Sequence, residues 1–254
     1  MRCAALVVTM LFWASGFAVA EGKLGPFPDR PGCSAVVFEG ARFTVCRYRA
    51  AADELRLANS GPNGPLRSLA GLQRVLGADS SRVVFAMNAG MYDRARRPVG
   101  LFVERGRVMT SLNTAIGAGN FFLLPNGVFW IGRDGAAHVE ETTAFAAAHR
   151  QPVWATQSGP LLLDTGALNP QIAADGSSLL IRNGVGVRGG DGYFVISDDK
   201  VSFGRFARLF RDRLNCPNAL YLDGTVSSLW APSAGRLDGR RDLGTFAVVL
   251  RRHR

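Results

Sequence analysis

Short runs of β-branched and aromatic residues, separated by turn-forming pairs, recur along the whole chain. Glycine supplies 30 of the 254 residues, and several glycines directly follow Asn or Asp between these runs. Asn-Gly and Asp-Gly pairs favour tight turns between antiparallel strands. The pattern therefore predicts a high sheet content, much of it antiparallel. The expected strands include "RFTVCRY" (42–48), "RVVFAM" (82–87), "GLFVERGRVMT" (100–110), "NFFLLPNGVFWIG" (120–132), "GYFVISDDKVSF" (192–203) and "FAVVLRR" (246–252).

Two segments, 67–76 and 202–214, instead place apolar side chains three and four residues apart, which predicts amphipathic helices. Each helix precedes an apolar strand that ends in a polar residue with Gly close behind, at Asn88 and at Asp223. Apolar strands of this kind are usually central in a sheet, and ligands tend to bind at the tips of central strands. We expect an α+β fold: a single domain of mixed, largely antiparallel β-sheet flanked by a few α-helices. The repeated helix–strand unit raises the hypothesis of an internal pseudosymmetry.

The N-terminus has the pattern of a secretory signal peptide. Arg2 precedes an apolar stretch, and Ala18-Val19-Ala20 supplies small residues for cleavage after Ala20. The alternative, an uncleaved anchor, requires roughly 20 consecutive apolar residues, and Ser15 and Gly16 interrupt a shorter run. We therefore expect a signal peptide at 1–20, a mature domain at 21–254, a periplasmic or secreted location, and no membrane insertion after cleavage.

The chain is basic, which favours contact with anions. Removing residues 1–20, which hold one basic and no acidic residue, lowers the formal charge from +10 to +9. The excess consists of scattered Arg without the interleaved aromatic residues typical of nucleic-acid platforms. We therefore expect no nucleic-acid partner; an ordinary solvated basic face is the alternative to a specific anion site.

Cysteine and histidine positions limit the chemistry further. Cys33 and Cys46 flank a plausible hairpin, and in an oxidising compartment a disulfide between them would contribute about 3 kcal/mol. Cys216 is predicted to be a small buried residue. The histidines (His138, His149 and His253) are too isolated for a catalytic triad or a zinc site, so we expect no metal and no cofactor. Asp198-Asp199 resembles a ligand pair but is better explained as a hairpin turn.

Four stretches concentrate Asn, Gln, Ser, Asp and Gly beside apolar runs. They are "MNAGMYD" (87–93), "QSGPLL" (157–162), "IRNGVGV" (181–187) and "LDGTVSS" (222–228). Any one of them could be an ordinary turn. Together they could bring an Arg, a carboxylate, amides and exposed backbone N–H groups to one cavity.

The ordered set of these motifs, between about residues 80 and 230, resembles the phosphodiester glycosidase family, in particular a bacterial-type member. The matching elements are Asn88-Ala89-Gly90-Met91-Tyr92, Ser158-Gly159, Arg182-Asn183-Gly184-Val185-Gly186 and Asp223-Gly224-Thr225-Val226-Ser227. The resemblance implies hydrolysis of the bond between the anomeric carbon of a sugar and a phosphodiester oxygen. The products would be the free sugar and a phosphomonoester, and the substrate a sugar phosphodiester or phosphoglycan. Thr225 and Val226 stand where the family has glycines, which permit closer approach of a phosphate to the backbone.

The residue types fit that reaction. Arg182 could hold the phosphodiester anion through a bidentate fork, and Asp223 is the candidate nucleophile or general base. Asp93 and Glu104 are further catalytic candidates; the alternatives are a turn cap for Asp93 and a solvent-facing strand position for Glu104. The expected substrate-binding residues are Asn88, Gly90, Gln157, Ser158, Gly159, Asn183, Gly184, Gly224, Ser227 and Ser228.

Two other interpretations compete with this one. Arg182 and Asp223 could form a buried ion pair. The domain could also be a non-catalytic binding module for anionic glycans or envelope polymers, which the net charge and the Thr225-Val226 departure favour.

Overall fold

Strands make up most of the regular structure. The computed structural model describes residues 32–224, 226–239 and 242–252. The predicted signal peptide (1–20) lies outside these residues, as do Thr225 and His253. The strands in the described part are, in chain order, β1 (Gly32–Phe38), β2 (Ala41–Tyr48), β3 (Asp53–Ala58), β4 (Ser60–Gly61), β5 (Gly64–Pro65), β6 (Val83–Asn88), β7 (Phe102–Glu104), β8 (Arg107–Thr110), β9 (Gly127–Ile131), β10 (Ala137–Glu141), β11 (Trp154–Ser158), β12 (Leu161–Asp164), β13 (Ala167–Leu168), β14 (Asn183–Arg188), β15 (Asp191–Ser197), β16 (Asn218–Tyr221), β17 (Leu229–Ala231), β18 (Arg236–Leu237) and β19 (Phe246–Arg251).

Short helices connect these strands. The α-helices of the described residues are α1 (Leu69–Leu76), α2 (Thr142–Ala147) and α3 (Phe203–Arg208), and a π-helical turn (Leu209–Arg213) continues α3. Single 3₁₀ segments lie at Gly77–Arg82, Asn120–Phe122 and Pro232–Ala234. The hydroxyl oxygens of Ser68 and Ser202 accept hydrogen bonds from backbone N–H groups in the first turns of α1 and α3. Both predicted helices are therefore confirmed, each beginning just after a serine cap.

The described strands form three main sheets whose pairings are all antiparallel. Their strand orders are β1-β2-β15-β14-β16-β12-β13 in the first sheet, β10-β9-β11-β7-β8 in the second and β18-β17-β6-β19-β3 in the third. The predicted α+β single domain with largely antiparallel sheet is confirmed.

The inner faces of the three sheets share one apolar core. Phe194 of the first sheet contacts Phe129 of the second and Phe85 of the third, with ring centroids 5.4 and 5.3 Å apart. All three side chains are buried, and each burial contributes roughly 1.5–3 kcal/mol. The aromatic contacts therefore fix the three sheets relative to one another.

A helix covers the outer face of each sheet. Phe206 of α3 packs on the first sheet, Phe145 of α2 on the second and Leu72 of α1 on the third. Strand β6 is buried along its whole length between β17 and β19, and β16 lies between β14 and β12. The prediction that the apolar strands following the two helices are central is confirmed.

The N-terminal hairpin carries the predicted disulfide. Strands β1 and β2 pair with Cys33 directly opposite Cys46, and the two residues are disulfide-bonded. Cys216 is a free, buried cysteine, as predicted. Burial raises the pKa of its thiol to about 12, so the thiol stays protonated.

Two strand predictions fail at their ends. Asp198 and Asp199 do not form a hairpin turn: β15 pairs with β14 and β2, and Val201 bridges Leu180 instead of returning along β15. The segment 120–126 forms a 3₁₀ turn and loop instead of a strand; only Gly127–Ile131 of the predicted run is extended. In both cases tertiary pairing partners decide the conformation, which an apolar run alone does not specify.

Candidate functional site

The start of β14 and the end of β16 bring two predicted site residues together. Gly184 pairs with Tyr221, and the N–H of Leu222 donates to the carbonyl of Asn183 at 3.1 Å. Continuing this antiparallel register by one residue places Arg182 opposite Asp223. The two motifs, forty residues apart in the chain, therefore come together at one end of the first sheet, where the N–H of Asp223 donates to Oδ1 of Asn183.

The side chain of Asn183 joins this end of the first sheet to the third. Its Nδ2 donates to the carbonyl oxygen of Asn88 at 2.8 Å and to Oδ1 of Asn88 at 3.0 Å. Its Oδ1 accepts from the N–H of Asp223 at 2.8 Å. One buried amide thus fixes the tip of β6 and the backbone of Asp223.

Asn88 is held from a second side. Its Oδ1 also accepts from the N–H of Ser228 at 2.8 Å, which sets the orientation of the amide. The Nδ2 group of Asn88 is buried and makes no hydrogen bond. An unpartnered buried donor lowers the folding stability by about 1–3 kcal/mol, and in native proteins such a group often hydrogen-bonds to a water or a ligand.

The predicted serines hold the loops around this end. The hydroxyl of Ser158 donates to the carbonyl of Leu222 at 2.7 Å. The hydroxyl of Ser227 lies 3.0 Å from the carbonyl oxygen of Asp223 and closes the turn after β16, while that of Ser228 donates within the same loop. Each hydroxyl keeps an oxygen lone pair with which it could accept a further hydrogen bond.

The guanidinium of Arg182 is enclosed by protein. Its Nε donates to the carbonyl of Val201 at 2.9 Å, its Nη2 donates to that of Ser178 at 2.8 Å, and its Cζ lies 3.6 Å from the ring centroid of Phe203. Nη1 is buried without a hydrogen-bond partner, and desolvation lowers the pKa of the side chain. No carboxylate from the described part of the chain pairs with it, so the alternative of a buried Arg182–Asp223 ion pair is wrong. The expected bidentate fork is also not available, because Nε and Nη2 are already used; only Nη1 remains to donate.

Tyr221 lies within range of the charges of both Arg182 and Asp223. The ring of Tyr221 packs edge-on against Phe203 at 4.8 Å. Burial raises the pKa of its phenol to about 12; the charge of Arg182 lowers it and that of Asp223 raises it. Gly224 is required beside it, because a Cβ there would collide with the Tyr221 hydroxyl. Sequence reasoning missed Tyr221, although it lies two residues before Asp223 in the motif.

Tyr92 also lies within range of the charge of Asp223. Its hydroxyl donates to the carbonyl of Asp242 at 3.0 Å, and its ring packs flush against Gly244, where a Cβ would not fit. Burial, followed by the charge of Asp223, raises the pKa of Tyr92 to about 12. The partly exposed Asp223 is thus close to two phenols that stay protonated at neutral pH.

Gln157, directly before Ser158 on β11, bonds to neighbouring protein segments. Its buried side chain accepts from the N–H groups of Leu101 and Asn113, at 3.0 and 2.9 Å, and donates to the carbonyl of Asn113 at 2.7 Å and to the hydroxyl of Thr142 at 3.3 Å. These bonds anchor the segment that follows β8. The geometry therefore gives Gln157 a positioning role next to Ser158.

Three predicted glycines are required by close packing. A Cβ at each would meet neighbouring backbone or side-chain atoms; at Gly184 it would lie 2.8 Å from the carbonyl oxygen of Leu220. The three are Gly90, Gly159 and Gly184.

Asp93 takes the turn-capping role offered as its alternative. Its carboxylate accepts from the backbone N–H of Arg97 at 3.0 Å and forms an ion pair with the side chain of Arg97 at 2.8 Å. These hydrogen bonds lower the pKa of Asp93. The carboxylate is committed to its own loop.

Glu104 lies apart from Asp223. It lines a cleft of about 710 Å³ together with Arg56 and Trp154, between α1 and the β7–β8 hairpin. Burial raises its pKa. The structure does not bring Glu104 into the cluster formed by Arg182, Asn183 and Asp223.

Within residues 32–224, 226–239 and 242–252, no group of three or more His, Cys, Asp and Glu side chains is arranged to hold a metal ion. The same residues contain no helix long and apolar enough to cross a membrane. His138 stacks on Trp130 at 4.0 Å, and burial lowers its pKa.

Comparisons with known proteins agree with the motif pattern. A family profile described as phosphodiester glycosidase matches residues 81–249. The uncharacterized protein YigE of Escherichia coli (strain K12) is 40% identical over 150 residues, which are 59% of this chain and 58% of that protein. The chain thus aligns with little more than half the length of this relative.

Two solved structures share the fold. The catalytic domain of zebrafish N-acetylglucosamine-1-phosphodiester alpha-N-acetylglucosaminidase, auto-inhibited by its pro-peptide, superposes with a TM-score of 0.56 at 15% identity, covering 87% of this chain and 82% of that one. A hypothetical protein from Synechocystis gives a TM-score of 0.52 at 17% identity, covering 87% and 61%. At these identities the likeness concerns the fold alone.

Proposed function

The chain belongs to the phosphodiester glycosidase family, whose profile matches more than half of its length, and from this we propose that it hydrolyses sugar-1-phosphodiesters. Water would replace the phosphodiester oxygen at the anomeric carbon. The products are a free sugar and a phosphomonoester. The catalytic centre is the strand-end cluster of Arg182, Asn183 and Asp223.

The observation that carries the proposal is the buried guanidinium of Arg182. A buried cation normally pairs with a carboxylate, because an isolated charge in a low-dielectric interior is costly. Its contacts among the described residues are carbonyl, hydroxyl and aromatic groups, and Nη1 has none. A phosphodiester bound at this end of the sheet would supply the negative charge. We assign Arg182 an electrostatic role: its buried positive charge would attract the phosphodiester with little screening by water.

We assign the chemistry at the sugar to Asp223. Its carboxylate either attacks the anomeric carbon or takes a proton from the attacking water, and the electron pair of the broken C–O bond goes to the phosphate oxygen. A phosphate is a good leaving group and needs little protonation. Tyr221, which keeps its proton, can donate a hydrogen bond to an oxygen near Asp223, whereas the hydroxyl of Tyr92 already donates to the carbonyl of Asp242 and can only accept.

We place the protein in the periplasm or outside the cell. The Cys33–Cys46 disulfide supports an oxidising compartment. The N-terminal sequence pattern supports export. Detection of the intact N-terminus in the cytoplasmic fraction would contradict this location.

The test uses the purified chain beginning at Glu21 and a panel of α- and β-linked sugar phosphodiesters, with and without chelator. We expect sugar and phosphomonoester to appear in equal amounts, and Asp223→Asn to lower kcat about 10²–10⁴-fold. The matched control is Asp93→Asn, which removes an equal charge from a turn and should retain activity. Unchanged turnover by Asp223→Asn would remove Asp223 from the mechanism. Saturable, salt-sensitive binding without product would favour the binding-module alternative.

A further inference from the structure

A concave pocket of about 320 Å³ lies at the opposite end of the second sheet from Ser158. Its walls are the β7–β8 turn at Arg105 and the segment 150–153 before β11. The N–H of Gly106 donates to the carbonyl of Val153 at 2.8 Å, so the turn is tied to the facing wall. The pocket is therefore formed by fixed backbone.

Arginine provides every ionisable side chain that lines this pocket: Arg105, Arg133 and Arg150. Arg150 is oriented by an ion pair with Glu140 at 2.7 Å and by stacking over Trp130, with Cζ 5.6 Å from the ring centroid. Its charge is thus largely compensated.

Arg105 and Arg133 are not compensated in this way. Neither forms an ion pair with any carboxylate in the parts of the chain that the structure describes. Glu104, the preceding residue, lines the 710 Å³ cleft, which Arg105 also reaches; the charge of Arg105 acts on the Glu104 carboxyl, but the two form no ion pair, and Glu104 does not line the 320 Å³ pocket. Asp134, next to Arg133, accepts from the N–H of Ala136 and does not line the pocket.

Other exposed arginines of this chain show the more usual arrangement. Arg42 pairs with Asp199 and Arg211 with Asp212, each at 2.7 Å. Positive charges that share a concavity without carboxylates raise the local concentration of anions. Arginine also offers forked N–H donors that match the oxygens of a phosphate.

We propose that the pocket lined by Arg105, Arg133 and Arg150, the arginine pocket, binds a phosphate group, either free or carried on a glycan. Ser158 lies five positions after Val153 along an extended segment, a span of about 16 Å. The arginine pocket is therefore separate from the strand-end cluster at Asp223, and its occupancy can be tested without catalysis.

The test is titration of the mature chain by calorimetry with inorganic phosphate and, separately, with a phosphate-bearing glycan, at low and moderate salt. The double variant Arg105→Gln/Arg133→Gln should bind phosphate at least tenfold more weakly. The matched control, Arg74→Gln/Arg251→Gln, removes the same charge from exposed arginines outside the pocket and should bind within twofold of the unmodified chain. Thermal unfolding checks that both variants are folded.

The outcomes separate the arginine pocket from the general charge and from the catalytic centre. Equal weakening in both double variants, or no phosphate binding by the unmodified chain, would overturn the proposal. Asp223→Asn should bind phosphate normally at this pocket, so loss of catalysis leaves the result intact. If the phosphate-bearing glycan binds more tightly than inorganic phosphate, and this binding weakens in Arg105→Gln/Arg133→Gln, the ligand of the pocket is a glycan phosphate. If only inorganic phosphate binds, the ligand is the free ion.

Discussion

Replacing Asn183 by alanine removes the amide that joins β6, β14 and the backbone of Asp223. Three hydrogen bonds disappear: two to Asn88, at 2.8 and 3.0 Å, and one from the N–H of Asp223, at 2.8 Å. At about 1 kcal/mol net for each bond, Asn183→Ala should lower the free energy of unfolding by about 3 kcal/mol. For a domain of this size that corresponds to a fall in Tm of about 6–12 °C.

The same substitution should impair turnover even where the protein is folded. The backbone N–H of Asp223 loses the acceptor that fixes it, and displacement of a reacting group by about 1 Å can cost 10²-fold in rate. We therefore expect kcat for a sugar phosphodiester, measured well below Tm, to fall about 10²-fold. Thermal unfolding and steady-state kinetics on the same preparation measure both effects.

Asn218→Ala is the matched control. Asn218 lies at the other end of β16, where its Nδ2 donates to the carbonyl of Val139 at 2.9 Å and its Oδ1 accepts from the N–H of Thr165 at 2.8 Å. It should lower Tm while leaving kcat unchanged at temperatures where the protein is folded. If Asn183→Ala and Asn218→Ala changed kcat equally, or if Asn183→Ala left Tm unchanged, Asn183 would not fix Asp223 as described.

Three further predictions concern stability and reactivity. Cys33→Ala/Cys46→Ala should cost about 3 kcal/mol and lower Tm by about 6–12 °C, whereas a fall below about 2 °C would show that the cross-link contributes little. Cys216, buried with a thiol pKa of about 12, should not react with a thiol reagent at pH 8 until the protein unfolds; rapid labelling of the folded chain would refute its burial. Burial raises the pKa of Glu104 above its unfolded value, so the protonated form favours folding and this contribution is lost as pH rises through the folded pKa. Glu104→Gln should accordingly raise Tm relative to the unmodified chain at pH 7 but not at pH 4, and should keep turnover. If the substitution changed Tm by the same amount at both pH values, the burial effect would be contradicted.

The features that sequence predicted well depend on neighbouring residues or on simple periodicity. The Cys33–Cys46 hairpin, both amphipathic helices and the central strands β6 and β16 are of this kind. In each, the apolar pattern or the short loop specifies the structure without reference to distant segments. The family motifs then identified the strand ends that carry polar residues.

The features that sequence could not give depend on register between distant strands. The segment that contains Arg182 lies beside the segment that contains Asp223 only because β14 and β16 pair with Gly184 opposite Tyr221. The enclosure of Arg182 by Phe203, which removes the expected bidentate fork, follows from the placement of α3 on the first sheet. The amide of Gln157 could bind a ligand as far as its residue type is concerned, but its hydrogen bonds go to Leu101, Asn113 and Thr142 of the protein itself. Residue type alone does not distinguish these outcomes.

The central claim is that the anomeric carbon–oxygen bond of a sugar phosphodiester is broken, with the bridging oxygen remaining on phosphorus. Hydrolysis in ¹⁸O-labelled water, followed by ³¹P NMR of the released phosphomonoester, tests this directly. We predict a phosphomonoester without ¹⁸O, because the labelled oxygen goes to the sugar. One ¹⁸O on phosphorus would mean attack at the phosphate, and would contradict the assignment of Asp223 to chemistry at the sugar carbon.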